Sequence, residues 1–238
     1  MHFEKSGVPG LDEILKGGIR NNSSIIVRGG PGSGKTILAL QFIIQGAKEG
    51  QTGVFISAEE ELDDLRDYAK SIGLDLEEYE KKKLVYLIKQ PITLNKIISF
   101  SVPLDLIKKG KIKRVVVDSL SIFRYGTDGE LTYRKELLYL INNMRSVLFM
   151  ATAEEKKYGV DTESSQEDFL FDGIIRLIKV RKENNFERCL FVSKMRGQEH
   201  SINIFPFEIK KLGLIVYPKQ IPFSLIGENS QNTNGFKK

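Results

Sequence analysis

The chain has 238 residues, of which 41% are hydrophobic, and its formal net charge is +5 at pH 7. This size allows a full buried core, most simply as one domain, although two small domains would also fit, and one cysteine with two histidines argues against a structural zinc site. No apolar run approaches the roughly 18 residues that span a bilayer and no apolar signal segment opens the chain, so we expect a cytoplasmic protein.

Residues 29–36 carry the most informative pattern, because they fit G-x-x-x-x-G-K-[ST]. The apolar run 24–27 before them predicts a buried strand, and the run 37–44 after them predicts a helix. In this setting the loop backbone wraps a phosphate, Lys35 reaches the β- and γ-phosphates of a nucleotide, and Thr36 offers a hydroxyl to Mg²⁺. The alternative is a chance glycine-rich turn, which would not need residues 34–36 in register. The predicted nucleotide-binding residues are Gly30, Pro31, Gly32, Ser33, Gly34, Lys35 and Thr36.

Strands and helices alternate along the rest of the first two thirds of the chain. Alternation of this kind specifies an α/β sandwich with a mainly parallel sheet. The run 114–118 is typical of a strand that is buried on both faces, and the run 147–152 is expected to close the parallel series. The predicted strands lie at residues 52–57, 84–88, 114–118 and 147–152.

Three helices are predicted between these strands. The first covers residues 61–72, the second residues 95–109 with Pro103 kinking or starting it, and the third residues 131–145. The apolar face of the first helix is expected to comprise Leu62, Leu65, Ala69 and Ile72. The inward residues of the third are expected to be Leu137, Leu138, Ile141 and Met144.

The pattern changes near residue 173. Apolar runs at 174–180 and 187–194 flank a turn signal at 183–185 and predict an antiparallel hairpin. Cys189 lies among apolar residues and is expected to be buried rather than reactive. Two further short strands are predicted at 205–209 and 212–217. Residues 227–238 are rich in polar residues and are expected to be disordered, which leaves residues 1–226 as the single domain.

Acidic residues stand where a nucleotide site would need them. Asp118 ends the most apolar strand, and we predict that it helps to hold Mg²⁺; a capping role for the next turn is the alternative. Glu59 and Glu60 follow the 52–57 strand and could orient or activate a water. Adjacent residues point in different directions, so one is expected to reach the water while the other supports it. An acidic first turn of the following helix explains the pair equally well.

Several segments form a further pattern when they are taken together. They are GVPGLDE at 7–13, Gly17-Gly18-Ile19, the loop at 29–36, Gln41-Phe42, Gly53-Val54-Phe55, Glu59-Glu60 and residues 115–119. Together they resemble the KaiC-type ATPase family of the RecA/RadA class. The resemblance covers roughly residues 6 to 218 and implies a RecA-like core, with ATP held between subunits of a ring that is often hexameric. It also implies that Glu59 and Glu60 form the catalytic pair.

The same resemblance gives a role to residues 194–200, which are similar to the family's K-x-R-G-x-x-H stretch. It implies that Lys194 and Arg196 reach the γ-phosphate of ATP held by a neighbouring subunit, as a finger supplied in trans, with His200 near the sugar or base. A basic hairpin tip in solvent is the alternative. Thr152 falls where such folds place a γ-phosphate sensor, although a buried strand threonine is nearly as good an explanation.

Nucleic-acid binding has weak support in the sequence. The lysine clusters at 81–83 and 108–114 fit helix ends, and the acidic segment 158–169 suits a phosphate backbone poorly. Only residues 123–126 offer aromatic rings beside a cation. From the loop motif and the family resemblance, we expect a slow Mg²⁺-dependent ATPase that forms a homo-oligomer and has a regulatory or assembly role. The alternatives are a recombinase paralogue that binds DNA and a nucleotide-gated scaffold.

Overall fold

The computed structural model describes residues 2–90, 105, 107, 109, 111–124, 129–155, 165–182 and 184–225. The predicted helix at 95–109, apart from three isolated positions, and the predicted tail at 227–238 lie outside these residues. The strands are β1 (Phe3–Glu4), β2 (Ile19–Arg20), β3 (Ser24–Gly29), β4 (Thr52–Ser57), β5 (Val85–Lys89), β6 (Ile112–Asp118), β7 (Leu148–Glu154), β8 (Gly173–Lys182), β9 (Asn185–Met195), β10 (Phe205–Lys210) and β11 (Gly213–Val216). The helices are α1 (Leu11–Ile14), α2 (Lys35–Lys48), α3 (Leu62–Ser71), α4 (Leu76–Lys81) and α5 (Glu130–Asn143).

Nine of the described strands form one large sheet. Its order is β11-β10-β9-β8-β3-β7-β6-β4-β5, while β1 and β2 form a separate antiparallel pair. The six strands from β8 to β5 in this order are parallel to one another, and β9, β10 and β11 continue the sheet antiparallel. The α/β fold with a mainly parallel sheet and a C-terminal antiparallel extension is therefore confirmed.

Alternate residues of the central strands face two separate cores. On β3, Ile25 and Val27 pack into the core that contains α2, whereas Ile26 packs into the core that contains α5. Strand β6 divides in the same way, with Val116 on the α2 side and its neighbours on the other. Because both faces are covered, these strands read as continuous apolar runs in the sequence.

One expectation about the sheet is wrong. The parallel series does not close at β7, because β8 pairs in parallel with the other side of β3, from Ile25 beside Gly173 to Gly29 beside Leu177. Strand β8 is also the first strand of the predicted hairpin with β9. The sequence predicts the hairpin, because β8 and β9 are adjacent in the chain. It does not predict the pairing of β8 with β3, because β3 lies about 150 residues earlier.

Helix α5 lies where predicted, but one of its inward residues is wrong. Leu137, Ile141 and Met144 are buried, whereas Leu138 is 38% exposed. Tyr133 and Leu140 take its place, since positions 133, 137, 140, 141 and 144 follow the helical repeat more closely.

Some elements were not predicted from the sequence. Helix α4 begins after Asp75, whose carboxylate accepts the Glu78 amide at 2.9 Å, so the Asp75 to Glu78 spacing was a start signal. The N-terminal β1, α1 and β2 are too short to produce a periodic pattern. Cys189 is fully buried on β9 as expected, and burial raises the pKa of its thiol to about 12.

Candidate functional site

The glycine-rich loop joins β3 to α2 at the carboxyl edge of the parallel strands. Gly32 and Gly34 have φ values of 64° and 104°, in the left-handed region that favours glycine, and Gly34 caps α2. The Lys35 ammonium donates to the carbonyl oxygens of Gly29 at 3.0 Å and Gly30 at 3.2 Å. The loop thus folds around its own lysine at the N-terminus of a 14-residue helix.

This loop fits a phosphate group. The Ser33 hydroxyl is buried without a hydrogen-bond partner among the described residues, and the α2 N-terminus supplies free N–H donors beside Lys35. An open cleft of about 400 Å³ lies over the loop. It is lined by Gly32, Ser33, Gly34, Lys35, Thr36, Glu60, Asp64 and Tyr68.

Asp118 ends β6 and lies almost completely buried below the loop. The hydroxyls of Thr36 and Thr152 both donate to its carboxylate. Burial raises the pKa of Asp118, while these two hydrogen bonds and the charge of Lys35 act in the opposite direction. Thr152 is itself fully buried on β7, so the predicted phosphate sensor contacts the predicted metal ligand.

The described residues offer few protein ligands for Mg²⁺, which fits the way this ion binds beside phosphates. No group of three His, Cys, Asp or Glu side chains that could hold a metal occurs in the part of the chain that the structure describes. Thr36 and Asp118 supply one hydroxyl and one carboxylate. Mg²⁺ commonly takes one or two protein oxygens and completes its shell with phosphate and water.

Glu59 and Glu60 lie in the turn after β4 and have different surroundings. Glu60 lines the cleft over the loop, whereas the Glu59 carboxylate accepts the Ser119 hydroxyl at 2.6 Å. Burial raises the pKa of Glu60, and the charges of Asp118, Glu59 and Asp64 raise it further. The geometry therefore places Glu60 on the cleft and Glu59 against the Ser119 hydroxyl.

Lys35 lies near several acidic side chains of the site. Burial lowers its pKa, and the charges of Asp118, Glu154 and Glu59 oppose that effect. A second cation, Lys179 on β8, also lowers the pKa of Lys35, and its ammonium donates to the Pro31 carbonyl at 3.2 Å. Sequence reasoning missed Lys179, because nothing local connects β8 to the loop.

The structure does not bring Lys194 and Arg196 to the loop of their own chain. Lys194 pairs with Ile174 at the amino end of β8, whereas Gly29 pairs with Leu177 further along that strand, and Arg196 follows the end of β9. The two cations therefore lie towards the opposite edge of the sheet from the loop. The Lys194 ammonium donates to the carbonyls of Asp168 at 2.7 Å and Phe171 at 2.6 Å, and Arg196 donates to the Phe169 carbonyl at 3.0 Å.

The chain after Arg196, which leads to the predicted nucleotide contact His200, is tied to residues 15–20 near the N-terminus. The side-chain amide nitrogen of Gln198 donates to the backbone carbonyls of Leu15 and Gly18 at 2.9 Å each. Its side-chain oxygen accepts the Arg20 backbone amide at 2.9 Å. The segment around α1 and β2 thus holds the turn at Gln198. Gln198 was not assigned this role from the sequence, since its partners lie about 180 residues away.

Of residues 123–126, only Phe123 and Arg124 are described, and Phe123 does not offer the exposed ring expected of this segment. Phe123 is only 7% exposed and packs in the α5 core, and Arg124 pairs with Glu130 at 2.6 Å. The remaining aromatic of that segment, Tyr125, lies outside the described residues. None of the described helices is long and apolar enough to cross a membrane.

Together the fold and the loop define a P-loop nucleotide-binding protein with a RecA-like sheet. The chain belongs to the KaiC ATPase family, whose model matches residues 4–221. A solved KaiC-like protein from Pyrococcus horikoshii is 33% identical with a TM-score of 0.78, covering 91% of this chain and 99% of that one.

Two curated relatives support this family membership. The match covers nearly all of the first relative and less than half of the second. A UPF0273 protein of Aeropyrum pernix is 32% identical over 91% of this chain and 94% of its own. The circadian clock protein KaiC3 of Synechocystis is 30% identical over 90% of this chain but only 45% of its own length. The chain thus spans about half of that clock protein, and the expected family resemblance is confirmed.

Proposed function

We propose that this chain binds ATP with Mg²⁺ and hydrolyses it slowly, at a site that a second copy of the chain completes. The observation that carries the proposal is that Lys35, Thr36 and Glu60 line one cleft over the glycine-rich loop, with buried Asp118 hydrogen-bonded to Thr36. Family membership supports nucleotide binding.

Each side chain has a defined task in this proposal. The loop amides and Lys35 bind the β- and γ-phosphates, and Thr36 and Asp118 would hold Mg²⁺, which neutralises the charge of the phosphates when bound. Glu60 orients a water for in-line attack on the γ-phosphorus and accepts its proton, since its raised pKa favours proton uptake. The new phosphorus–oxygen bond replaces the bond to the ADP oxygen, and Glu59 supports Glu60.

The second copy supplies Lys194 and Arg196. These cations lie at the sheet edge away from the loop of their own chain. In this proposal they contact ATP that is bound to the loop of a neighbouring chain. Fingers of this kind are worth about 10³–10⁵ in rate where they have been measured. We propose on this basis a homo-oligomer, with hexamers as one form, and a regulatory or assembly-linked role. No described contact favours nucleic acid.

The test separates binding from chemistry. Lys35→Ala should lose affinity for a fluorescent ATP analogue, because the charge between the phosphates is gone, while Lys48→Ala at the exposed end of the same helix should bind normally. Glu59→Gln with Glu60→Gln should bind normally but release no phosphate. Unchanged affinity in Lys35→Ala, or undiminished turnover in the double variant, would refute the assignment.

A further inference from the structure

Lys89 ends β5, the strand at the edge of the sheet, and lies in register beside Ser57 at the end of β4. Its side chain therefore starts next to the turn that carries Glu59 and Glu60. The lysine is 26% exposed and belongs to no part of the nucleotide cleft. No role for it is visible in the sequence, where it is one of many lysines.

All three donors of the Lys89 ammonium are used on this one turn. The ammonium donates to the Glu59 carbonyl at 3.0 Å and to the Glu60 carbonyl at 2.9 Å, and it lies 3.0 Å from a Glu61 carboxylate oxygen. A lysine has three donors and no acceptor, so its bonding capacity is complete here. Two consecutive carbonyls bound by one charged donor fix the direction of the peptide between them.

Other bonds hold the same turn from the sheet side. The Ser57 hydroxyl donates to the Glu60 carbonyl at 2.5 Å, and the Ala58 amide donates to the Asp118 carbonyl at 2.7 Å. Lys89 closes the outer side, where the turn faces solvent. Without Lys89, no other donor of the described residues would reach the Glu59 carbonyl. The Gln90 amide would still donate to the Ser57 carbonyl at 2.8 Å, but residues 58–60 would be held only by the Ser57 hydroxyl and from the β6 side.

We propose that Lys89 is a positioning residue that holds the backbone of the turn so that Glu60 stays aimed into the nucleotide cleft. This deepens the proposed function and rests on it. The two carbonyl bonds carry the positioning, because the pair with Glu61 is exposed, and exposed ion pairs contribute little. The Lys89 charge also acts on the Glu60 carboxyl directly, and hydrogen exchange of the turn separates that charge effect from positioning. Small displacements of a catalytic group lower turnover far more than substrate binding.

The test compares Lys89→Met with Lys89→Arg, and Glu61→Gln serves as the matched control. Lys89→Met should lower kcat for phosphate release about tenfold and leave the affinity for the fluorescent ATP analogue unchanged. Lys89→Arg keeps donors for both carbonyls and should recover at least about half of the wild-type rate. Glu61→Gln should turn over normally, because both carbonyl bonds remain.

Hydrogen exchange gives a measure that does not depend on turnover. In nucleotide-free protein, the amides of residues 58–62 should exchange about threefold faster in Lys89→Met and at the wild-type rate in Lys89→Arg. Wild-type turnover in Lys89→Met, or arginine that is no better than methionine, would overturn the proposal. If the wild-type protein releases no phosphate, the proposed function fails, and unchanged exchange in Lys89→Met then overturns the positioning role separately.

Discussion

At the scale of single residues, the site concentrates negative charge that the fold does not need. Asp118 is buried, and burial of Glu60 together with the charges of Asp118 and Glu59 raises the pKa of Glu60. A folded carboxyl with a raised pKa binds its proton more tightly than the unfolded chain does, so its ionised form costs stability at neutral pH. This arrangement fits a site built for binding rather than for stability.

Asp118→Asn should therefore stabilise the nucleotide-free protein. The amide oxygen can still accept from Thr36 and Thr152, while the buried charge is removed. A gain of about 1 kcal/mol corresponds to a rise in Tm of about 2–4 °C for a chain of this size. The gain should shrink as the pH falls through the raised pKa towards the ordinary aspartate range, since the native carboxyl then becomes neutral.

Thermal unfolding in a chelator-containing buffer measures this effect. Asp67→Asn, an exposed acid on α3, is the control and should leave Tm unchanged. A lower Tm for Asp118→Asn at neutral pH would contradict the account, because it would mean that the ionised carboxylate stabilises the fold.

The sequence predicted the residues of this site that occur in local patterns. The loop residues follow from a contiguous motif, and Asp118 follows from its place at the end of an apolar strand. Lys89, Ser119 and Lys179 could not be found in this way, because each acts on a residue that is distant in sequence. A lone lysine or serine carries no signal until the sheet order places it.

At the scale of elements, β3 and β8 form a charged layer beside the loop. Arg28 on β3 is only 3% exposed, and it donates to Asp168 at 2.5 Å, to Glu167, and to the Glu154 carbonyl at 3.2 Å. Arg176 on β8 also binds Asp168, at 2.9 Å. The Asp168 carbonyl in turn accepts from Lys194 at 2.7 Å, so this layer connects the strand before the loop to Lys194 on β9.

Arg28→Met should destabilise the fold by about 3–5 kcal/mol. The substitution keeps much of the side-chain volume but leaves Glu167 and Asp168 buried with one arginine fewer, and an uncompensated buried charge is costly. Urea unfolding measures the loss. Lys81→Met, which removes an exposed pair with Glu77 on α4, should leave the midpoint unchanged. Equal midpoints for the two variants would show that the buried layer adds nothing to stability.

Sequence reasoning found most elements but not all of their neighbours. The alternation of strands and helices follows from apolar periodicity, and it located β3, β4, β6 and α2 closely. The parallel pairing of β8 with β3 is decided by packing across the sheet, which periodicity does not record. The partial error on α5 has a simpler cause, because Leu138 is apolar but lies off the inward stripe.

At the scale of the whole molecule, the sheet separates two halves of one proposed site. The loop, Asp118 and the Glu59–Glu60 turn lie at the carboxyl ends of the parallel strands, while Lys194 and Arg196 lie towards the other edge. Gln198 anchors the second half to the N-terminal segment. Under the proposed function, the chain completes its chemistry only by association, so assembly and turnover should be coupled.

The measurement that tests this claim most directly mixes two inactive variants. Arg196→Ala should bind ATP nearly normally but release no phosphate, and Lys35→Ala should neither bind nor turn over. An equimolar mixture should recover partial phosphate release, because a mixed assembly can pair an intact loop from one chain with an intact finger from the other. Light scattering and co-purification of differently tagged chains establish that mixed assemblies form under the assay conditions. Wild-type turnover in Arg196→Ala alone, or a mixture as inactive as its parts although mixed assemblies are present, would contradict the account.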